Sequence, residues 1–141
     1  MFTAFLDACV LVPITLADTL LRTAEHGLFR PCWSPAVLAE VREVLGRVHP
    51  HLSPSRIDHR LRAMDRAFPD ASITTAPADV EQLHLPDPDD RHVLAAALRA
   101  HADVIVTANL KDFPPQHLQP HGLTATGPDD FLISSTSRPR P

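Results

Sequence analysis

The sequence predicts an α/β protein with three layers, in which a central and mostly parallel sheet lies between helices. Two observations support this fold class. Short apolar runs rich in β-branched residues alternate with longer segments of helical periodicity along nearly the whole chain. The run at 104–106 is continuously apolar and follows a predicted helix directly, which is typical of a buried parallel strand. We therefore expect right-handed crossover connections between neighbouring parallel strands.

The first thirty-three residues predict two strands with a helix between them. Residues 2–6, FTAFL, form a short buried strand that ends at Asp7. Residues 13–25 carry apolar side chains at helical spacing, with a proline near the first turn and Gly27 beyond the end. Residues 28–33, LFRPCW, form the second strand.

Two Ser-Pro pairs predict the starts of two further helices. Ser34 and Ser53 have side chains suited to an N-cap, and Pro35 and Pro54 then occupy the first helical position. Pro69 closes the second of these helices.

The second half of the chain predicts a strand at 71–76, an acidic linker, a helix at 89–102 and a buried strand at 103–107. Residues 121–133 then predict a last short strand and a helical turn. The composition of 134–141 is typical of a disordered tail, so we expect one domain over 1–133.

An acidic cluster precedes the helix at 89–102. Asp87 and Asp89 need no role beyond helix initiation, because a helix start favours one capping side chain and further acids in its first turn. That explanation leaves Asp90 as the acid that most needs another role.

Composition restricts the class of protein. A length of 141 residues with 44% hydrophobic and 21% charged residues is typical of a globular domain. Cys9 and Cys32 lie in apolar stretches, which predicts buried thiols in the cytoplasm, and we expect neither a signal peptide nor a membrane span. A net charge of −4 disfavours non-specific coating of nucleic acid, and the nine histidines are too scattered to predict a His metal site.

Acids from separate elements are predicted to meet at one edge of the sheet. Asp7 ends the first strand, Asp90 precedes the helix that leads into the strand at 103–107, and Glu40 lies early in the helix that begins after Ser34. Two carboxylates ~4 Å apart repel by roughly 4 kcal/mol at an effective dielectric of ~20. Such a cluster requires raised pKa values or a cation, and oxygen ligands favour Mg²⁺ or Mn²⁺. Glu40 alone could equally be a solvent-facing acid.

Four segments of the chain resemble PIN-domain proteins, in particular the VapC-like toxins. They are FLDACVLVP, WSPAVLAEVREVL, PDPDDRHVLAAALRAHADVIVTANLKDFP and PDDFL, and they occur in the family's order over nearly the whole chain. The resemblance implies an α/β/α fold, dependence on Mg²⁺ or Mn²⁺ and cleavage of RNA. It also implies an antitoxin protein as partner and a homodimer.

The resemblance implies site residues at matching positions. Asp7, Glu40 and Asp90 match the family's first three acids, and Asp112 is expected as an outer or water-mediated ligand. Asp89 is the substitute candidate for Asp90.

Five further side chains are implied as supporting residues. Thr107 and Asn109 are expected to orient water, acids or phosphate. Arg91, His92 and Lys111 are candidate phosphate contacts, although each could be ordinary surface charge. We expect water activated at the metal centre to attack an RNA phosphodiester and leave a 5′-phosphate.

The chain departs from the family pattern in two places. Ala8 and Cys9 follow the first acid, where a hydroxyl residue and Asn are frequent, so one polar support is missing. The chain also ends soon after PDDFL, where relatives continue with more helix. The alternative to a toxin ribonuclease is therefore a catalytically weak PIN-fold module that binds an antitoxin or RNA.

Two other enzyme classes fit the sequence less well. A phosphatase or dehalogenase with an aspartyl nucleophile needs a second Asp two residues after Asp7, where this chain has Cys9. A phosphorylated receiver domain needs a downstream Lys at a strand end, and this chain has none in that context.

Overall fold

Four parallel strands form one sheet in the order β2-β1-β3-β4. The computed structural model describes residues 2–137. The strands are β1 Thr3–Leu6, β2 Arg30–Cys32, β3 Val104–Val106 and β4 Thr124–Thr126. Every residue of β1 and β3 is buried, so helices cover both faces of the central strands. This arrangement confirms the predicted α/β class with a parallel sheet.

Eight α-helices surround or follow the strands in the described part of the chain, and three short 3₁₀ turns connect elements. The helices are α1 Ala8–Leu11, α2 Ile14–Glu25, α3 Pro35–Val48, α4 Pro54–Ala67, α5 Pro77–Glu81, α6 Arg91–Arg99, α7 Pro115–Leu118 and α8 Pro128–Ser137. The 3₁₀ turns are Pro88–Asp90, Leu110–Asp112 and Gln119–His121.

Both Ser-Pro pairs start helices as predicted. The Ser34 hydroxyl accepts a hydrogen bond from the Val37 backbone N–H at 3.1 Å, and the Ser53 hydroxyl accepts one from Arg56 at 3.3 Å. Each bond satisfies a backbone donor that the first turn of a helix leaves free. These two helices, α3 and α4, pack against each other beside the sheet.

The helix predicted at 89–102 is shorter than its apolar pattern. Its first residues form the 3₁₀ turn Pro88–Asp90, and the α-helix then ends at Arg99. His101 adopts a left-handed conformation with φ 53°, and the Ala102 N–H donates to the Ala97 carbonyl at 2.9 Å. This bond closes the helix end, so the apolar residues after Arg99 belong to the turn into β3.

Three further predictions differ from the structure. Residues 71–76 form no strand, because Ser72 makes only an isolated bridge with Trp33. The segment predicted as an acidic linker contains the short helix α5. The predicted disordered tail begins within α8, which continues to Ser137. The rest of that tail, 138–141, lies outside the described residues.

The register of the strands places the first residues after β1 and β3 side by side. Leu6 pairs with Val106, and Val106 pairs with Thr126. The Asp7 N–H donates to the Val106 carbonyl at 3.1 Å, so Asp7 and Thr107 meet at the carboxyl edge. Among the helices of residues 2–137, none is both long and apolar enough to cross a membrane.

Candidate active site

Three predicted acids line one cavity at the carboxyl edge of the sheet. Asp7, Glu40 and Asp90 reach it from the end of β1, from α3 and from the turn before α6. The cavity has a volume of about 360 Å³, and Asn109 also lines it. Its remaining wall consists of Ala8, Cys9, Val12, Pro13 and Val44. Segments far apart in the sequence therefore bring three carboxylates to the same cavity.

Asp7 is held in place by hydrogen bonds to both carboxylate oxygens. Its Oδ1 accepts from the Ala8 backbone N–H at 2.8 Å, which makes Asp7 the N-cap of α1. Its Oδ2 accepts from the Thr107 hydroxyl at 2.9 Å. Only 7% of Asp7 is exposed, and burial raises the pKa of this carboxyl, with a smaller contribution from the negative charge of Glu40. The hydrogen bonds lower that pKa, so they partly offset the effect of burial.

Thr107 links Asp7 to the loop after β3. Its hydroxyl donates to Asp7 and accepts from the Asn109 backbone N–H at 3.1 Å. Thr107 is fully buried, so both bonds lie away from water. The residue expected to orient the acids therefore contacts one of them directly.

Cys9 occupies the position where a polar support was expected to be missing. Its sulfur accepts a hydrogen bond from the Ala108 backbone N–H at 3.3 Å and lies 3.4 Å from the Thr107 hydroxyl. It also lies 3.6 Å from Asp7 Oδ2. Burial raises the pKa of this thiol above its ordinary value. Cys9 thus supplies part of the missing support. Its apolar neighbours in the sequence do not indicate this role, because a cysteine between apolar residues usually only fills space.

Glu40 is paired with His92 beside the cavity. His92 Nε2 lies 2.6 Å from Glu40 Oε1, and this hydrogen bond is the main reason that the pKa of His92 is raised. The other ring nitrogen, Nδ1, is buried and has no hydrogen-bond partner among residues 2–137. His92 was expected as a phosphate contact, whereas the structure places it against an acid. Sequence alone offers no spacing that predicts this pair, because the two residues lie on different helices.

Asp90 lies close to several other acids of the site. Burial raises its pKa to about 6, and repulsion from Asp87, Asp7, Asp112 and Glu40 adds to this effect. The position therefore concentrates negative charge that the folded chain does not neutralise by itself.

The other predicted site residues lie outside the cavity lining. Asp112, in the 3₁₀ turn after β3, acts on Asp90 through its charge. Arg91 Nε donates to the Pro88 carbonyl at 3.1 Å, and Lys111 is exposed. Asp89 is also exposed, and its N–H donates to Asp87 Oδ1 at 2.9 Å as part of the turn. This position gives Asp89 no place in the cavity.

The donor set fits a hard divalent cation in its chemistry. Asp7, Glu40 and Asp90 offer carboxylate oxygens, which Mg²⁺ and Mn²⁺ prefer. A cation would offset both causes of the raised pKa of Asp90, which are burial and the smaller repulsion from neighbouring acids. Within residues 2–137, no three His, Cys, Asp or Glu side chains already form a complete ligand group. Glu40 Oε1 is paired with His92, so an ion would compete with His92 for this oxygen.

Replacing Thr107 by Val is expected to destabilise the protein by about 1–3 kcal/mol, because the buried Asp7 carboxylate loses a donor and the Asn109 N–H loses its acceptor. The pKa of Asp7 should also rise further, since the lost bond lowers it. Urea denaturation and an NMR pH titration of Asp7 measure the two effects. Thr107→Ser keeps the hydroxyl and is the control. Equal stability of the Val and Ser variants would contradict the role of this hydroxyl.

Comparison with known proteins identifies relatives of the chain. The family model described as PIN domain matches residues 3–111. A protein of Mycobacterium tuberculosis (strain ATCC 25618 / H37Rv), named "Putative ribonuclease VapC50", is 61% identical over 44 residues. These residues cover 31% of this chain and 26% of that relative. The chain therefore matches about a quarter of the length of the relative.

Proposed function

The chain belongs to the PIN domain family, and on this premise we propose that it is a metal-dependent endoribonuclease that hydrolyses RNA phosphodiesters. One observation carries the proposal: Asp7, Glu40 and Asp90 come from three separate segments and line the same cavity at the carboxyl edge of a parallel sheet. Ligands of parallel α/β sheets gather at this edge.

Asp7, Glu40 and Asp90 would hold Mg²⁺ or Mn²⁺. Asp112 lies outside the cavity lining and would act on Asp90 through its negative charge. When bound, such an ion activates water and stabilises the negative charge on a phosphodiester oxygen. The expected product carries a 5′-phosphate.

The remaining residues would orient the acids and contact the substrate. Thr107 fixes the orientation of Asp7 through its 2.9 Å hydrogen bond, and it also holds the backbone at Asn109. His92 holds Glu40 beside the cavity until a cation takes its place. Arg91 is the first residue of α6 and follows Asp90, and Lys111 lies in the 3₁₀ turn that contains Asp112. At these positions they would contact the phosphates of an incoming strand.

We further propose that the protein acts in the cytoplasm as the toxin of a toxin–antitoxin pair, with an antitoxin protein as partner and as a homodimer. The similarity to the relative with the VapC ribonuclease name supports the toxin role. Copurification with the product of a small neighbouring gene, and recovery of cell growth when that gene is coexpressed, would test the pairing.

A second candidate is a PIN-fold module with weak or no activity that binds an antitoxin or RNA. The Glu40–His92 pair favours it, because one of the three acids is already engaged at 2.6 Å. The lack of a complete ligand group among the described residues points the same way. Metal-dependent cleavage of RNA separates the two candidates.

Calorimetric titration of Mn²⁺ into the wild type, Asp90→Asn and Asp89→Asn tests the metal site, and a labelled RNA panel then tests cleavage. We expect the wild type and Asp89→Asn to bind Mn²⁺ alike, and Asp90→Asn to bind at least tenfold more weakly, since it loses one charged ligand. Binding by the wild type without cleavage of any RNA would favour the second candidate. Equal Mn²⁺ affinity in all three proteins would exclude Asp90 as a ligand.

A further inference from the structure

The charged residues of α4 separate onto different sides of the helix. Both acids are already engaged. Asp58 Oδ1 accepts from Arg42 Nε at 2.7 Å, and Asp65 Oδ1 accepts from Trp33 Nε1 at 2.9 Å. The acidic side of α4 therefore faces α3 and the end of β2.

The adjoining arc of α4, which starts at Arg62 four residues after Asp58, carries only basic and small or hydroxyl residues. At about 100° per residue, one arc of about 160° contains Arg62, Ser55, Arg66, His59, Ala63, Arg56, Ala67 and Arg60 in that order around the helix. No Asp or Glu of α4 falls within it. Arg56, Arg62 and Arg66 are exposed, and none of the three forms an ion pair with another described residue. We call these three side chains the α4 arginine face.

The arc that contains the α4 arginine face ends at Arg60, which lies next to the candidate active site. Arg60, one turn after Arg56, donates to the carbonyls of Leu11 and Val12 at the end of α1, at 2.5 and 3.4 Å. Val12 also lines the cavity that contains Asp7 and Glu40. Asp18 of α2 acts on the half-buried Arg60 through its charge, and Glu25 of α2 lines the same cleft as Arg60.

We propose that the α4 arginine face binds the phosphate backbone of single-stranded RNA and leads it to the cavity. The inference rests on the proposed function and adds the surface that holds the substrate. A protein with a net charge of −4 repels a polyanion over most of its surface, so a local group of unpaired arginines determines where RNA can approach. The planar guanidinium group of Arg suits phosphate oxygens, with which it forms paired hydrogen bonds.

The test measures RNA binding without cleavage. A fluorescent single-stranded RNA of mixed sequence is titrated with protein in EDTA, and anisotropy is followed from 50 to 200 mM KCl. The variant Arg56→Gln/Arg62→Gln/Arg66→Gln is compared with Arg30→Gln/Arg47→Gln/Arg99→Gln, which removes three exposed arginines outside α4. Both variants change the net charge equally, and circular dichroism melting checks that both are folded.

We expect the α4 variant to bind RNA on the order of 100-fold more weakly at 0.1 M salt, because each lost phosphate contact removes about 0.7 from the slope of log K against log salt. Its slope should be smaller than that of the wild type by about 2, and the control should keep nearly the wild-type slope. Equal slopes and affinities in the two variants would overturn the inference.

The same proteins separate failure of the inference from failure of the proposed function. In Mn²⁺, cleavage by the wild type is compared with cleavage by Asp90→Asn. If cleavage requires Asp90 but the two arginine variants bind RNA alike, the proposed RNA-binding role of α4 is contradicted and the proposed nuclease function is supported. If RNA binding requires the α4 arginines but no cleavage occurs, the surface stands and the nuclease is wrong.

Discussion

Replacement of Asp7 or Asp90 by Asn is expected to lower metal-dependent RNA cleavage by about 10³-fold or more. Each change removes a negative charge from a cavity where three acids would hold the ion. A bound metal contributes several kcal/mol to stabilisation of the transition state, and each 1.36 kcal/mol is about tenfold in rate. Single-turnover cleavage of a labelled RNA in Mn²⁺ measures the loss. Both variants should keep the fold, because Asn is nearly the same size as Asp.

Asp89→Asn is the matched control for this experiment. It removes the same charge one residue before Asp90, but Asp89 is exposed and lies outside the cavity lining. We therefore expect its cleavage rate to stay within about threefold of the wild type, as for an exposed charge screened by solvent. A large loss in Asp89→Asn with normal activity in Asp90→Asn would reverse the assignment of the two acids. Normal activity in Asp7→Asn would exclude the site.

The position of the site could be predicted because parallel strands share a carboxyl edge. A buried run that ends in an acid fixes Asp7 at the end of β1, and a second buried run ends at Thr107. Their registered pairing then makes the two side chains neighbours, and the observed 2.9 Å hydrogen bond agrees with that expectation. Periodicity and the rules of α/β sheets were enough for this step.

The partners of the site residues could not be predicted in the same way. The Glu40–His92 pair depends on how far α3 and α6 approach each other, and hydrophobic spacing does not report that distance. The sulfur of Cys9 likewise takes a polar role that its apolar flanks do not indicate. The early end of α6 at Arg99 depends on the left-handed backbone at His101, a residue type that carries no strong stop signal.

The α4 arginine face could not be predicted from the net charge of the chain. Its residues are visible in the sequence, but the net charge of −4 hides them because it averages over the chain. Only the contacts of Asp58 with Arg42 and of Asp65 with Trp33 show that the acids of α4 are engaged with residues outside the helix and not with its exposed arginines. Local charge therefore gives a better prediction of RNA binding than the overall balance does.

In the absence of metal, Asp90→Asn should be more stable than the wild type at pH 7.5, and the difference should vanish at pH 4. The pKa of Asp90 is raised from 3.8 to about 6 in the folded protein, so the folded state binds this proton more tightly than the unfolded state. The stability that the protonated group contributes is complete below the unfolded pKa and is lost as the pH rises through the folded pKa. Because Asp90 is only partly buried, solvent screening reduces the expected difference to about 1 kcal/mol, or about 4 °C in Tm.

Mn²⁺ at about 100 times its Kd should reverse the order of stability of the two proteins, since it would stabilise the wild type by about 2.7 kcal/mol. Thermal melts with and without Mn²⁺ at both pH values measure these shifts, with Asp89→Asn as the control that should follow the wild type. A wild type that is as stable as Asp90→Asn at pH 7.5 without metal would show that burial and the neighbouring acids do not destabilise the charged form of Asp90 in the folded protein.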